Sequence, residues 1–232
     1  MPLCRFDLHL HTQFSHDCDT DIPTIESHCL RQGLTGLAVT DHNTIKGALK
    51  LRDSVKSIRV IVAEEVSTRD GDVIGLFLQE EIKSEAINPK ITALEAMKAI
   101  HDQGGLVYLP HPFDRQRARK TKGASLSGLI DQVDIVEAFN GKVSRSQYND
   151  MAAQYALHHH KITGGGSDAH DLRAIGSVYN ELELPDNFTP SQFLEGMAKA
   201  KIVGTRRSKM GSFLVIGRRP FSLALRHLRK KW

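Results

Sequence analysis

Two histidines separated by one residue, His9 and His11, follow a short apolar run near the N-terminus. Alternate side chains of a β-strand share a face, so a strand that ends here directs both imidazoles towards one point. Imidazole is the commonest protein ligand of metal ions. The pair therefore suggests the beginning of a metal site, but a single His-x-His sequence is common by chance, and its meaning depends on what else converges.

Residues of metal-binding type also follow a turn after this first strand and almost every later strand that the sequence predicts. In chain order they are Asp17, Asp41, His42, Glu64, Glu65, His111, Glu137, Asn140, Asp168 and His170. The C-terminal ends of the strands of a parallel barrel meet on one face, where barrel active sites lie. These residues predict a ring of nitrogen and oxygen donors that suits two or three divalent ions such as Mn, Zn or Fe.

The elements that must position these residues alternate between strand and helix. Apolar runs predict strands at residues 6–9, 37–40, 58–62, 73–78, 106–109, 135–138 and 162–164. Helical spacing and end signals predict helices at residues 22–32, 44–57, 89–103, 125–131 and 144–159. Such alternation means parallel strands joined by right-handed crossovers. The number of strands favours a closed or distorted barrel over an open doubly wound sheet.

The composition is that of an ordinary globular protein of one domain. The 232 residues are 40% hydrophobic and 25% charged. No stretch approaches the ~18 apolar residues of a membrane span, and charged residues interrupt any signal-peptide core, so we expect a cytoplasmic location. Three cysteines, Cys4, Cys18 and Cys29, are too few for a disulfide framework. Metal binding therefore depends on histidine and carboxylate.

Positive charge is concentrated at the C-terminus. Residues 201–232 hold ten of the 31 Lys and Arg residues and no Asp or Glu. We therefore divide the chain into a domain of residues 1–205 and a basic tail of residues 206–232. The tail could be a solvated end, contact nucleic acid or another anionic surface, or form a membrane-surface helix with apolar residues at helical spacing, namely Phe221, Leu225, Leu228 and Trp232.

Five short motifs resemble those of the PHP (polymerase and histidinol phosphatase) family of metal-dependent phosphoesterases. They are residues 7–12, 40–42, 65–68, 110–112 and 166–170, within a resemblance that covers about residues 3–200. It implies an α/β fold, a distorted (β/α)7 barrel with a two- or three-metal centre at the C-terminal ends of its strands. It also implies eight metal ligands: His9, His11, Asp17, His42, Glu65, His111, Asp168 and His170.

Two of these ligands have neighbours that could take the same place. Only one of Glu64 and Glu65 can face the metals, and the family's Glu-Ile/Val-Ser-Thr pattern selects Glu65, which leaves Glu64 facing solvent or a helix layer. In the preceding loop the family's Ser-x-Asp spacing favours Asp17 over Asp19 and His16.

The sequence leaves the roles of three further residues near the ring open. Many small family members have a histidine where this chain has Asp72. A carboxylate there could still bind Mn or Mg, so a third metal site stays open. Glu137 and Asn140 could bind a metal, contact a metal ligand or form a turn, and contact with a ligand is favoured.

The resemblance and the donor ring together predict hydrolysis of a phosphomonoester, or of the phosphodiester of a nucleotide or short oligonucleotide, by a metal-activated hydroxide. The enzyme would be a phosphatase or an exonuclease. Asp41 is a candidate for proton transfer. Because guanidinium groups bind phosphate bidentately, Arg115 is the first candidate for contact with the reacting phosphate, followed by Arg117 and Arg145.

Two alternatives have other chemistry. The chain could be a non-catalytic module, a scaffold stabilised by metals or a nucleic-acid-binding domain. It could also be an amidohydrolase-like hydrolase, since such enzymes also begin with His-x-His. The Gly-Ser-Asp-Ala-His sequence at residues 166–170 favours the phosphoesterase.

Overall fold

The computed structural model describes residues 1–85, 89–114, 128–208 and 211–218. The strands are β1 (Leu3–Leu10), β2 (Gly36–Val39), β3 (Arg59–Thr68), β4 (Gly71–Leu76), β5 (Leu106–Leu109), β6 (Ile135–Asn140), β7 (Ile162–Gly166), β8 (Val178–Glu183), β9 (Lys201–Ser208) and β10 (Gly211–Arg218). The α-helices are α1 (Ile22–Arg31), α2 (Lys46–Ser54), α3 (Ala93–Asp102), α4 (Ser146–His158) and α5 (Pro190–Met197).

The strands form one sheet that curls into a nearly closed barrel. The order is β10-β9-β8-β1-β2-β3-β4-β5-β6-β7, with parallel pairing among β1–β3 and among β5–β7. The chain just after β7 returns to β1, where Asp168 N donates to His9 O at 2.7 Å and His11 N donates to Ala169 O at 2.9 Å. The predicted α/β barrel is confirmed, with β4 antiparallel to both of its neighbours.

Apolar side chains fill the barrel and also separate it from the helices. One buried cluster contains Phe6 and Leu8 of β1 together with Phe193 and Met197 of α5. Because α5 follows β8, whose last residue pairs with the first residue of β1, this helix lies at the N-terminal end of β1. The barrel is therefore packed from that end, and its polar residues lie at the other.

The third strand differs most from its prediction. The sequence placed its end at Val62, but β3 continues to Thr68 and forms a hairpin with β4. Two consecutive carboxylates, Glu64 and Glu65, made this segment look like a strand end. Both are buried, so neither face of β3 is exposed to solvent at this point.

Helix α3 begins later than predicted because a capping box determines its first turn. Thr92 accepts a hydrogen bond from Glu95 N while the Glu95 side chain accepts from Thr92 N, so α3 begins at Ala93 rather than at Pro89. The helix predicted at residues 125–131 lies partly outside the described residues, and Ile130–Gln132 form a 3₁₀ turn.

The described chain ends in a β-hairpin. β9 and β10 pair across Ser208 and Gly211, so the predicted boundary at residue 205 lies inside β9. Of the predicted tail, residues 209–210 and 219–232 lie outside the described residues. Within the described ranges, no helix has the length and apolar character needed to cross a membrane.

Candidate metal centre

The alternation of side chains along β3 directs Glu65 into the barrel. Ala63 belongs to the apolar cluster inside the barrel, whereas Val62 and Val66 belong to the cluster beneath the helices. Glu65 shares the inward face of Ala63. Glu64 faces the helix layer and is fully buried, so the expectation that it could face solvent is wrong and the helix-layer alternative is right.

Four imidazoles surround the Glu65 carboxylate. His9 Nε2, His11 Nε2 and His42 Nδ1 lie 3.4, 3.3 and 3.4 Å from Glu65 Oε2. His111 Nε2 lies 3.0 Å from the other oxygen, Oε1. His9 lies in β1, and the other three histidines come just after β1, β2 and β5, so the barrel itself brings them together.

The structure brings all eight sequence-predicted metal ligands into overlapping groups. Within each group, one potential ligand atom per residue lies within 4.8 Å of the others. Among the described residues the groups are His11, Asp17, His42 and His170; His9, His111 and Asp168; His9, His11 and Glu65; and Glu65, Asp72 and His111. Asp72, whose place the sequence left open, therefore lies beside the ring. The ligand roles themselves stay predictions.

Two buried imidazole nitrogens lack hydrogen-bond partners within the described part of the chain, which supports cation binding by an observation that does not depend on the family motifs. Neither His11 Nε2 nor His42 Nδ1 has a hydrogen-bond partner among the described residues, although each points to the same oxygen of Glu65. A buried polar atom without a partner is costly and calls for an explanation. A divalent cation between these atoms would satisfy both nitrogens, so the residues present fit the metals that the donor set implies.

The pKa shifts within the ring favour charged forms of Glu65 and His9 and a neutral His11. Burial alone would raise the pKa of Glu65, but His42, His9 and the contact with His111 hold it well below its ordinary range. Burial alone would lower the pKa of His9, yet nearby carboxylates, Asp168 first, raise it well above its usual value. Burial lowers the pKa of His11 to about 3, which keeps this imidazole neutral and able to act as a ligand.

The backbone is strained at two of the ring residues. Asp168 has a φ of 53° and His111 a φ of 28°, a region that costs non-glycine residues of order 1–3 kcal/mol. Hydrogen bonds hold both in place, from Asp168 N to His9 O and from His111 N to Glu137 Oε2. Gly166 allows the close approach, because a Cβ there would lie 2.3 Å from His9 Cβ.

Glu137 supports the ring from beneath, in agreement with the favoured interpretation. Its Oε1 lies 3.0 Å from His9 Nδ1 and accepts from Tyr108 Oη, while its Oε2 accepts from the His111 backbone. Asn140 Nδ2 donates to Glu137 and also to the second oxygen of Asp168. Such contacts fix the ring orientation and the tautomer of a metal-binding histidine.

We expect Glu137→Gln to weaken metal binding while the fold remains intact. The substitution removes the charge that faces His9 Nδ1 and should cost roughly 10–100-fold in metal affinity or activity. Competitive titration of the metal against a chelator measures this change, with Glu80→Gln at an exposed position as the matched control. Unchanged affinity in Glu137→Gln would contradict this role.

Asp41 lies behind the ring. Its oxygens accept from Thr12 N at 2.6 Å, from Thr12 Oγ1 at 2.7 Å and from Ser15 Oγ at 3.0 Å. Ser15 Oγ also lies 3.1 Å from His11 Nδ1 and accepts from His42 N. Asp41 therefore orients two ring histidines through Ser15, and its part in proton transfer stays a prediction.

A similar anchor joins the first and last ring segments. Asp7 accepts from the backbone and hydroxyl of Ser167, 160 residues away, and from Gly176 N. Burial raises the pKa of Asp7 to about 6. Both residues lie within the motifs at residues 7–12 and 166–170, but local spacing does not indicate that they are in contact.

Buried Glu64 should make folding stability depend on pH. Burial raises its pKa to about 8, although it accepts a hydrogen bond from Ile82 N. The folded protein thus retains a proton that the unfolded chain releases near the ordinary value of 4.5. Its contribution to stability is therefore fully present below that value, is lost as the pH rises towards 8, and changes little above it.

We expect Glu64→Gln to be more stable than wild type in alkaline solution, by about 5 kcal/mol at most, because the amide never ionises. The two proteins should differ little at about pH 5. Urea unfolding at both pH values measures the difference, and Glu80→Gln is again the exposed control. A stability gain that is equal at both pH values would contradict the raised pKa.

Only some of the basic residues predicted near the site lie in the described part of the chain. Arg115 and Arg117 lie outside the described residues. Arg145 is exposed just before α4, and its phosphate contact stays a prediction. The sequence reasoning missed Lys142, whose Nζ lies 3.9 Å from Asp168 Oδ1 with the side chain 44% exposed. Its position two residues after the β6 strand end was the available signal.

The fold and the donor ring define a barrel protein of the PHP class, and the chain belongs to the PHP domain family. The PHP domain model matches residues 7–158, and a PHP-associated model matches residues 146–202. The uncharacterized protein MJ0417 of Methanocaldococcus jannaschii is 31% identical over 198 residues, which cover 82% of this chain and 77% of the relative.

Solved structures share the fold at low sequence identity. A two-domain protein from Bacteroides vulgatus, containing a predicted PHP-like metal-dependent phosphoesterase, is 18% identical with a TM-score of 0.68 over 88% of this chain. The lesion-specific endonuclease PfuEndoQ from Pyrococcus furiosus is 20% identical with a TM-score of 0.62 over 87% of this chain. The chain covers 65% and 58% of these two proteins.

Proposed function

We propose that this protein is a metal-dependent phosphoesterase that hydrolyses a phosphomonoester, or the phosphodiester of a nucleotide or short oligonucleotide. The observation that carries the proposal is the convergence of four imidazoles on Glu65. A further group formed by His11, Asp17, His42 and His170 lies beside it. The description of one similar structure as a predicted phosphoesterase and of another as an endonuclease supports this reaction class.

Two or three divalent ions of the Mn, Zn or Fe type would bind in this ring. The group with three histidines, His11, His42 and His170, suits Zn or Fe, and the group with Glu65 and Asp72 suits Mn. When bound, such ions lower the pKa of a water nucleophile and hold phosphoryl oxygens.

The chain's own residues would orient the metal-binding histidines and contact the substrate phosphate. Glu137 holds His9 through Nδ1, and Ser15, fixed by Asp41, holds His11. The Lys142 ammonium lies at the edge of the ring beside Asp168 and is half exposed, so it can meet an incoming phosphate. Arg115, Arg117 and Arg145 remain the sequence-predicted phosphate contacts.

A substrate panel with metal-supplemented protein tests the proposal. It should contain nucleoside monophosphates and bisphosphates, histidinol phosphate, short RNA and DNA, and an amide substrate. We expect release of phosphate or nucleotide that Asp168→Ala abolishes. Absence of phosphoester cleavage together with loss of thermal stability on chelation would favour a metal-stabilised scaffold, and cleavage of the amide alone would favour the amidohydrolase alternative.

We expect Lys142→Met to raise KM for the phosphorylated substrate by roughly tenfold, because a charged hydrogen bond to phosphate is lost. The metal content should not change, since a protonated lysine has no lone pair with which to bind a metal. Steady-state kinetics and metal analysis measure both, and Lys142→Arg should recover part of the affinity. A fall in metal content without a change in KM would contradict phosphate contact by this residue.

A further inference from the structure

A second concave site lies at the end of the barrel that is remote from the metal centre. It is a groove of about 460 Å³ between the beginning of β1, the end of β8 and α5. Met1 and Leu3 line it and are 78% and 59% exposed, the highest values for large hydrophobic residues in the described part of the chain. The groove therefore offers an apolar surface that the described residues leave uncovered.

The groove carries two carboxylates that have no ion partner among the described residues. Glu181 is balanced by Arg5 at 3.1 Å and by Lys201 at 3.7 Å. Glu183 and Glu195 are exposed, line the same groove and form no ion pair with any described residue. The other charged groups of this described lining are Lys199 and the N-terminal ammonium of Met1. Glu183 and Glu195 are therefore the two carboxylates that a segment both apolar and basic could pair with.

The sheet brings the end of the described chain close to this groove. Arg218 of β10 lies opposite Ile202 of β9, which lies opposite Asn180 of β8. Two strand spacings of about 4.8 Å therefore separate β10 from β8. Because β10 and β8 are each antiparallel to β9, both run towards the groove end of β8, where Glu183 pairs with Leu3.

The chain that continues from this point has the complementary chemistry. Residues 219–232 contain five Lys and Arg residues, no Asp or Glu, and the chain's only tryptophan, Trp232. Phe221, Leu225, Leu228 and Trp232 recur at intervals of four, three and four, the spacing of one face of a helix. A 14-residue segment is about 21 Å long as a helix, enough to reach the groove.

We propose that residues 219–232 dock on this groove of their own chain. The apolar face that ends in Trp232 covers Met1 and Leu3, and the basic residues face Glu183 and Glu195. The predicted contact of the basic tail with an anionic surface is then made within the protein, at the end of the barrel away from the metals. This inference does not depend on the phosphoesterase activity.

The single tryptophan provides the test. In the full chain we expect Trp232 emission to be blue-shifted, and acrylamide quenching to be several-fold weaker, than in the Glu183→Lys/Glu195→Lys double variant. Asp53→Lys/Asp102→Lys changes the net charge equally at exposed positions in the last turns of α2 and α3 and should retain the wild-type emission.

A charge swap distinguishes loss of docking from misfolding of the groove variant. Arg229→Glu/Lys230→Glu/Lys231→Glu should expose Trp232 by itself, and combining it with Glu183→Lys/Glu195→Lys should restore the blue-shifted emission. The inference is overturned if acrylamide quenches Trp232 fully in wild type. It is also overturned if neither the groove substitutions nor the tail substitutions change the Trp232 emission. It is also overturned if only added oligonucleotide or anionic vesicles shift the emission.

Discussion

Glu65→Gln should lower kcat by roughly 10³-fold, corresponding to several kcal/mol of lost transition-state stabilisation. The carboxylate faces His9, His11, His42 and His111, and a neutral amide cannot balance cations held among these imidazoles. Metal analysis should show fewer bound ions per chain. Phosphate release from the substrate identified in the panel measures the rate.

The matched control is the neighbouring residue. Glu64→Gln makes the same chemical change on the opposite face of β3, where the side chain accepts from Ile82 N. Its activity and metal content should equal those of wild type. Equal loss of activity in the two variants would contradict the assignment of Glu65 to the metal-facing side of β3 and of Glu64 to the opposite side.

Removal of the metals should lower the melting temperature by on the order of 10 °C. Ions that bind only the folded chain stabilise it by about 4 kcal/mol when their free concentration is a thousand times Kd. Without them, buried His11 Nε2 and His42 Nδ1 have no partner among the described residues. Thermal unfolding with and without a chelator, at constant ionic strength, measures the shift.

The Glu65→Gln variant provides the internal control for this measurement. Because it should already hold fewer ions, chelation should lower its melting temperature less than that of wild type. Re-addition of Mn or Zn should reverse the shift in wild type. A melting temperature that chelation leaves unchanged, in a protein shown to contain metal, would contradict coupling between the ring and the fold.

Much of the candidate site could be predicted because strand ends are visible in sequence. His9, His42, His111 and Asp168 each follow an apolar run, and the alternation of elements indicates that these ends share a face. The choice of Glu65 over Glu64 agrees with the inward face of β3 and was available from the family pattern. Strand-end signals, together with the family pattern, therefore predicted which side chains the barrel brings together.

The supporting contacts could not be predicted in the same way. Asp7 pairs with Ser167 and Gly176, and Ser15 joins Asp41 to His11, through contacts that no local spacing encodes. The extension of β3 was missed because buried carboxylates resemble the solvated end of a strand. Whether a charged residue is buried depends on tertiary partners, such as Ile82 N for Glu64.

The closure of the barrel between β1 and the segment after β7 has a consequence for how the protein assembles. Asp7 and His9 bind residues about 160 positions later in the chain, so these contacts close a very long loop, and contacts of this kind form slowly. During synthesis, His9 and His11 emerge long before Asp168 and His170. High-affinity metal capture should therefore mark the last stage of folding, and a nascent chain shorter than about 170 residues should hold these ions weakly.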